Sequence, residues 1–234
     1  MWMLSLELST VRHSVAVGLD NDPILERSWS EPARASHNLI PMIQSALSDA
    51  GVRVDQIDRF AAGVGPGTFS GLRIAVTTLQ ALALPGGKPV VGFSSAAVLA
   101  YQVAQGHCTV GNTLPVTVVG DARRGQLWFA RYEVGRDDLQ PIVPPRIAPA
   151  GAWPSWLQPA GKLVTPDWDR LGATLAPWVP PGVDLIPEPR QPAASSVLEL
   201  ARLFQRHNRA YPPPVPLYLN PPVAVPGPEK GAST

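Results

Sequence analysis

The sequence predicts an α/β fold built from two similar units, of which the second is truncated and irregular. In the first 110 residues, short apolar runs with a period of two alternate with longer runs of helical period. Most of the 28 prolines lie from Pro141 onward. Because proline lacks an N–H group and breaks helices, the later part of the chain favours short, irregular elements.

Three strand-like runs open the chain in close succession, which predicts an antiparallel meander. They cover residues 3–8, 14–19 and 24–29, and a turn at Asn21, Asp22 and Pro23 separates the second from the third.

Helices and strands then alternate up to residue 104. The predicted elements are a helix capped by Ser36 and ended by Gly51, a strand at 60–64, a helix at 70–84, a strand at 89–93 and a helix at 95–104. The order βββαβαβα is that of the core unit in the architecture shared by acetate kinase, sugar kinases, heat-shock ATPases and actin (ASKHA). In this ribonuclease H-like fold, two such units face each other.

The second half begins in the same way and then becomes sparse. Its predicted elements are strands at 114–120, 126–132 and 139–143, weak strands at 162–165 and 183–186, and a helix at 194–207. We therefore predict one domain at 1–110, a smaller degenerate one at 111–220, and a flexible tail at 221–234 that is rich in Pro and Gly.

Composition excludes several classes of protein. A formal net charge of +1 gives no field that would steer the whole chain onto nucleic acid. Cys108 is the only cysteine, which excludes an internal disulfide and a multi-thiolate zinc site. No run approaches the roughly 18 apolar residues of a membrane span. We expect a soluble, cytoplasmic protein.

The segment from Gly63 to Arg73 is the most informative part of the sequence. It joins a predicted strand to a predicted helix and contains Gly65-Pro66-Gly67, so its N–H groups could face an anion at the helix start. It is neither a P-loop nor a nucleophile elbow, because the Lys and the Ser spacing of those motifs are missing. A tight turn in which glycine supplies a positive φ remains the alternative.

Five segments resemble the TsaB family. The first is Gly65 to Ile74, in which Thr68 and Ser70 stand where that family usually has Ser and Thr. The others are 36–43, 89–95 and 121–128, and Pro216-Leu217-Tyr218-Leu219 is similar to the family's C-terminal segment. The resemblance is strong over residues 3–132 and weak over 133–211.

The resemblance implies a two-domain actin-like fold and a role in adding threonylcarbamoyl to the tRNA adenosine next to the anticodon. It implies a non-catalytic scaffold or activator that binds TsaD, the related catalytic subunit, and meets TsaE, a small ATPase, through that complex. Contact with tRNA would then be indirect. The chain would need no cofactor, because ATP and metal are expected on the partner subunits.

Two features speak against catalysis by this chain, for which we predict no catalytic residue and no metal ligand. The catalytic relative holds a metal through His-x-x-x-His, and none of the four histidines here has another four residues away. The turn after the first strand carries Glu7, Ser9 and Thr10 where the family usually begins with Asp, so we interpret it as a vestigial nucleotide turn. The alternative is an ATP-dependent phosphotransferase or ATPase of the same fold. A peptidase lacks support, because no His pairs with a plausible nucleophile.

Arg123 and Arg124 follow Asp121 in a predicted turn between two strands. This pattern suits an Asx-turn with solvated arginines. The functional interpretation is that the two arginines contact a partner or tRNA phosphate.

The helix after the glycine segment has no charged residue between Arg73 and Lys88. One face should pack on the sheet, and an ordinary surface helix would carry Lys and Glu on the other. Either the second domain or the tail covers that face, or another protein does. The resemblance favours a helix pair that binds TsaD and forms a homodimer when the chain is alone. The predicted interface residues are Leu39, Met42, Ile43, Thr68, Phe69, Arg73, Ile74, Thr77, Thr78 and Ala81.

Overall fold

A computed structural model describes most of the chain. The described residues are 1–20, 24–30, 37–108, 111–149 and 160–220. The predicted turn at 21–23, the predicted cap at Ser36 and the predicted tail at 221–234 lie outside the described residues.

Five strands and three helices form the first unit, as the sequence predicts. The strands are β1 (Trp2–Glu7), β2 (Arg12–Leu19), β3 (Leu25–Ser30), β4 (Arg59–Gly63) and β5 (Val90–Phe93), and the helices are α1 (Leu39–Asp49), α2 (Phe69–Ala83) and α3 (Ser95–Ala104). The sheet order is β3-β2-β1-β4-β5. β1 pairs antiparallel with β2 and parallel with β4.

The second sheet repeats this arrangement. Its strands are β6 (Thr113–Arg123), β7 (Gln126–Gly135), β8 (Leu139–Pro149), β9 (Gly161–Val164) and β10 (Val183–Leu185). Their order is β10-β9-β6-β7-β8, with antiparallel pairing among β6, β7 and β8 and parallel pairing on the other side. Both weak strands therefore exist and complete the sheet.

Two α-helices belong to the described part of the second unit. They are α4 (Trp168–Leu175), which the sequence did not predict, and α5 (Ala194–Arg206). Most of the segment between β8 and β9 lies outside the described residues.

Two helices lie between the sheets, each against the sheet of the other unit. α3 packs on β6, β7 and β8, while α5 packs mainly on β1, β2 and β4. α3 has no charged residue, and nine of its ten residues are buried. One core cluster joins residues of both sheets and both helices, among them Met3, Ala61, Val118 and Leu198.

Successive side chains of β1 point to opposite faces of the sheet and so belong to two different cores. Met3 faces the central layer, whereas Leu4 and Leu6 belong to a second core beneath α1 and α2. A third, smaller core lies between the second sheet and α4. The layers are thus α1 with α2, the first sheet, α3 with α5, the second sheet, and α4.

The division into domains at residue 110 stays a prediction. The chain passes from the first sheet to the second between α3 and β6. Because α3 packs on the second sheet and α5 on the first, the two units share one core. Among the described residues, no helix is long and apolar enough to cross a membrane.

Candidate functional site

Glu7 ends β1 with a fully buried side chain, at the turn that we interpret as a vestigial nucleotide turn. Its Oε1 accepts a hydrogen bond from the Ser9 backbone N–H at 2.9 Å. Its Oε2 accepts one from the Ser95 hydroxyl at 2.9 Å. Ser95 Oγ in turn accepts a bond from the backbone N–H of Gly65 at 3.0 Å. Glu7 therefore ties the first turn to the glycine segment and to α3.

The glycine segment packs directly on this turn. A Cβ atom at Gly63 would lie 1.8 Å from Glu7 Oε2, and one at Gly67 would lie 2.4 Å from the carbonyl oxygen of Ser9. The Thr68 N–H donates to the same Ser9 oxygen at 2.8 Å. Both glycines are needed for close approach of the backbone. Gly65 between them has a φ of 101°, which is the positive φ that the tight-turn interpretation requires.

The electrostatics of Glu7 follow from this packing. Burial raises the pKa of the Glu7 carboxyl group above its ordinary value of 4.5, against the opposing effect of the bonds from Ser9 and Ser95. Ser9 is buried as well, while Thr10 points outward and donates to the Arg12 carbonyl oxygen at 3.2 Å.

The C-terminal segment, residues 211–220, covers the glycine segment. The backbone N–H of Leu217 donates to the Val64 carbonyl oxygen at 2.7 Å. The N–H of Gly92 on β5 donates to the Pro212 carbonyl oxygen at 3.0 Å. Asn220 Nδ2 donates to the Ala122 carbonyl oxygen on β6 at 2.7 Å. The segment thus contacts both units of the molecule.

The α2 side that faces away from the sheet is open to solvent. Gly71, Leu72, Ala75, Val76, Leu79 and Ala83 form its buried side. The opposite side carries seven of the predicted interface residues. Phe69, Arg73, Thr77 and Ala81 are exposed, and Thr68, Ile74 and Thr78 are half-buried.

Two predicted interface residues of α1 are instead core residues. Leu39 and Ile43 are only 4% and 3% exposed and pack with the first sheet. Their spacing of four puts them on the sheet side, together with Ala46 and Leu47. Met42 is half-buried, and Ile40, which we did not predict, is 49% exposed. The apolar stripe of α1 is wide, and the first sheet covers its centre.

The β6–β7 hairpin positions Arg123 and Arg124 at its tip. Both residues have positive φ, and the Arg123 N–H donates to Asp121 Oδ1 at 2.7 Å, which is the expected Asx-turn. Asp121 also forms ion pairs with Arg123 and with Arg170, at 3.4 and 3.0 Å. Arg124 is exposed, and its contact with an anion stays a prediction.

The described part of the chain contains no group of three or more His, Cys, Asp or Glu side chains that could hold a metal ion. Sequence reasoning missed Ser95 and Tyr218, which the fold brings to Glu7 and Phe69. Both lie in segments that resemble the TsaB family, and this was their only signal.

The chain matches the family model of TsaD, tRNA N6-adenosine threonylcarbamoyltransferase, over residues 32–165. It is 30% identical over 132 residues to the tRNA threonylcarbamoyladenosine biosynthesis protein TsaB of Escherichia coli, a match over 56% of this chain and 55% of that relative. The chain thus spans about half the length of the E. coli protein. It is 25% identical over 164 residues to the TsaB protein of Bacillus subtilis, a match over 69% of each chain.

A solved structure shares the fold. YeaZ from Pseudomonas aeruginosa superimposes with a TM-score of 0.73 and 24% sequence identity, over 93% of this chain and 99% of that one. Together with the two mixed sheets and their helices, this likeness establishes the predicted α/β, ASKHA-like fold.

Proposed function

The chain belongs to the family that the TsaD model describes and, within it, to the TsaB proteins of tRNA threonylcarbamoyladenosine biosynthesis, and from this we propose that it is a non-catalytic scaffold or activator subunit. It acts by binding a TsaD-like catalytic subunit through the outer side of α2 and the adjoining exposed part of α1.

The outer side of α2 carries this proposal. Thr77 and Ala81 face solvent, Ile74 is half-buried, and the helix has no charge after Arg73. Among the described residues, Thr77 and Ala81 stay exposed, and the C-terminal segment reaches this side of α2 at Phe69 through Tyr218. The predicted tail at 221–234, the other candidate for an internal cover, lies outside the described residues. A solvent-facing helix side without Lys or Glu is typical of a protein interface.

The turn after β1 is filled by the Glu7 side chain, and this supports a non-catalytic role over the alternative of an ATPase. In active enzymes of this architecture the turn after the first strand holds Mg²⁺ and phosphate. Here the Glu7 side chain occupies the space against Gly63, and Gly67 rests on Ser9. Phosphate could bind only if these two turns separated and exposed the Glu7 carboxyl group, which would repel it.

The remaining parts of the proposal follow from the family. ATP and metal belong to the partner subunits, a TsaE-like ATPase joins through the complex, and contact with tRNA is indirect, with Arg123 and Arg124 as the candidate anion contacts. The chain forms a homodimer when alone and works in the cytoplasm.

Charged substitutions on the outer side of α2 test the proposal. We expect Thr77→Arg and Ile74→Glu to remove binding to the TsaD-like subunit, because a charge without a partner would be buried in the interface. Binding is measured by co-purification, and tRNA modification is measured with the catalytic subunit, this chain, or both. Modification should require both proteins and should fall with each variant.

Thr174→Arg is the matched control, because Thr174 is an exposed helix threonine on α4, in the outer layer of the other sheet. It should bind and activate normally. If the folded Thr77→Arg and Ile74→Glu proteins still bind the TsaD-like subunit like the native chain, the proposed interface is wrong. If the chain alone modifies tRNA, the non-catalytic role is wrong.

A further inference from the structure

An exposed aromatic pair lies where α2 begins. Phe69 and Tyr218 are 55% and 41% exposed, and their ring centroids are 4.8 Å apart. The Arg73 guanidinium lies over the Phe69 ring, 4.5 Å from its centroid. Large apolar side chains placed this openly usually mark a contact with another molecule when they form a group.

The pair continues the exposed side of α2. Phe69, Arg73, Thr77 and Ala81 recur every four residues and are all exposed, so they form one stripe along the helix. Tyr218 packs on the first member of this stripe. A protein laid along α2 would therefore meet a ring contributed by the C-terminal segment.

The contacts of the C-terminal segment hold Tyr218 in place. Leu217, its neighbour, bonds to Val64 in the glycine segment, and Asn220, two residues after Tyr218, bonds to Ala122 on the second sheet. Tyr218 is thus fixed on both sides by bonds to two different parts of the fold. A ring held in this way loses little conformational freedom when a partner covers it.

From these observations we infer that the C-terminal segment is part of the docking surface, with the Phe69–Tyr218 pair as its anchor. The occupant is the same TsaD-like subunit that covers the α2 stripe, so the inference rests on the proposed function. Tyrosine and arginine are enriched among the residues that contribute most to protein interfaces. Here the Tyr218 and Phe69 rings pack at an interplanar angle of 33°, and the Arg73 guanidinium lies over the Phe69 ring. The partner should present an apolar surface to the rings.

Truncation of the pair tests this inference. The affinity for the TsaD-like subunit is measured by calorimetry with full-length Tyr218→Ala and Phe69→Ala, and thermal unfolding shows that each variant is folded. Each change should weaken binding roughly 10- to 100-fold, the range of an interface anchor. Tyr218→Phe should bind like the native chain, because the ring makes the contact. Trp178→Ala, at an exposed aromatic beside α4, is the matched control and should have no effect.

The outcomes separate this inference from the proposed function. If Thr77→Arg prevents binding while folded Tyr218→Ala and Phe69→Ala bind within about twofold of the native chain, the inference is wrong and the α2 interface stands. If all three bind normally, the proposed function itself fails. Should Tyr218→Ala not fold, Tyr218→Leu, which keeps an apolar side chain beside Phe69 but removes the ring, decides the question, and native-like binding by that variant would overturn the inference.

Discussion

At the scale of single residues, Glu7 shows how burial can close a site. Its carboxyl group is shielded from solvent, held by Ser9 and Ser95, and pressed against Gly63. The same position at the end of a first strand can serve ligand binding when the side chain is shorter and open to water. Here the carboxyl group connects three segments and has become part of the core.

The raised pKa of Glu7 predicts a pH dependence of stability. Above pH 4.5, the ordinary value, the unfolded chain releases the Glu7 proton while the folded protein retains it. The folded state then binds more protons, so this group lowers the free energy of unfolding as the pH rises, until the higher folded pKa is passed. Glu7→Gln does not titrate, and its stability relative to the native chain should increase as the pH rises above 4.5.

Urea unfolding at several pH values measures this trend. Glu188→Gln, at an exposed carboxyl group, is the control. A Glu7→Gln protein whose stability relative to the native chain is constant or falls over this range would contradict a raised pKa.

At the scale of elements, α5 shows how a helix start can depend on distant residues. Its N-cap position is Ala193, which has no side chain that could cap the first N–H groups. Ser14 of β2 replaces the cap, since its hydroxyl accepts from the Ala194 N–H at 2.8 Å. Ser5 of β1 donates to the Ala194 carbonyl oxygen at 2.7 Å. Two strands therefore fix where α5 begins.

Removing this cap should destabilise the whole protein. Ser14→Ala leaves the Ala194 N–H buried without an acceptor, and we expect a loss of about 1–3 kcal/mol in the free energy of unfolding. Ser45→Ala, at an exposed serine of α1, should change the stability by less than about 0.5 kcal/mol. Urea unfolding measures both, and equal losses in the two variants would exclude a specific role of Ser14.

Helix periodicity predicts the two sides of α2 well and those of α1 only in part. On α2, Leu72, Val76 and Leu79 are buried and Thr77 is exposed, as their spacing indicates. On α1 the apolar stripe is wider than the sheet requires, so the pattern cannot tell which of its residues the sheet covers. Packing on β2 and β3 buries Ile43 and leaves Ile40 at the surface.

At the scale of the whole molecule, α3 and α5 make the two units interdependent. Each helix packs on the sheet of the other unit, so each sheet would lose the helix on its inner face if the other unit unfolded. We therefore expect one cooperative unfolding transition. The buried Trp29 and Trp128 lie in different units and report on both. Far-UV circular dichroism and tryptophan fluorescence should give the same urea midpoint, whereas two separate transitions would show independent domains.

The sequence by itself determined the order of the elements apart from α4, the fold class, the buried side of α2 and the absence of charge on its outer side. These follow from local periodicity, composition and glycine placement, which neighbouring residues fix among themselves. Only the tertiary structure decided that α3 packs on the second sheet and α5 on the first, that the Glu7 side chain fills the turn after β1, and that Tyr218 contacts Phe69. Such contacts join residues far apart in the chain, and their partners are set by the packing of whole elements rather than by any local pattern.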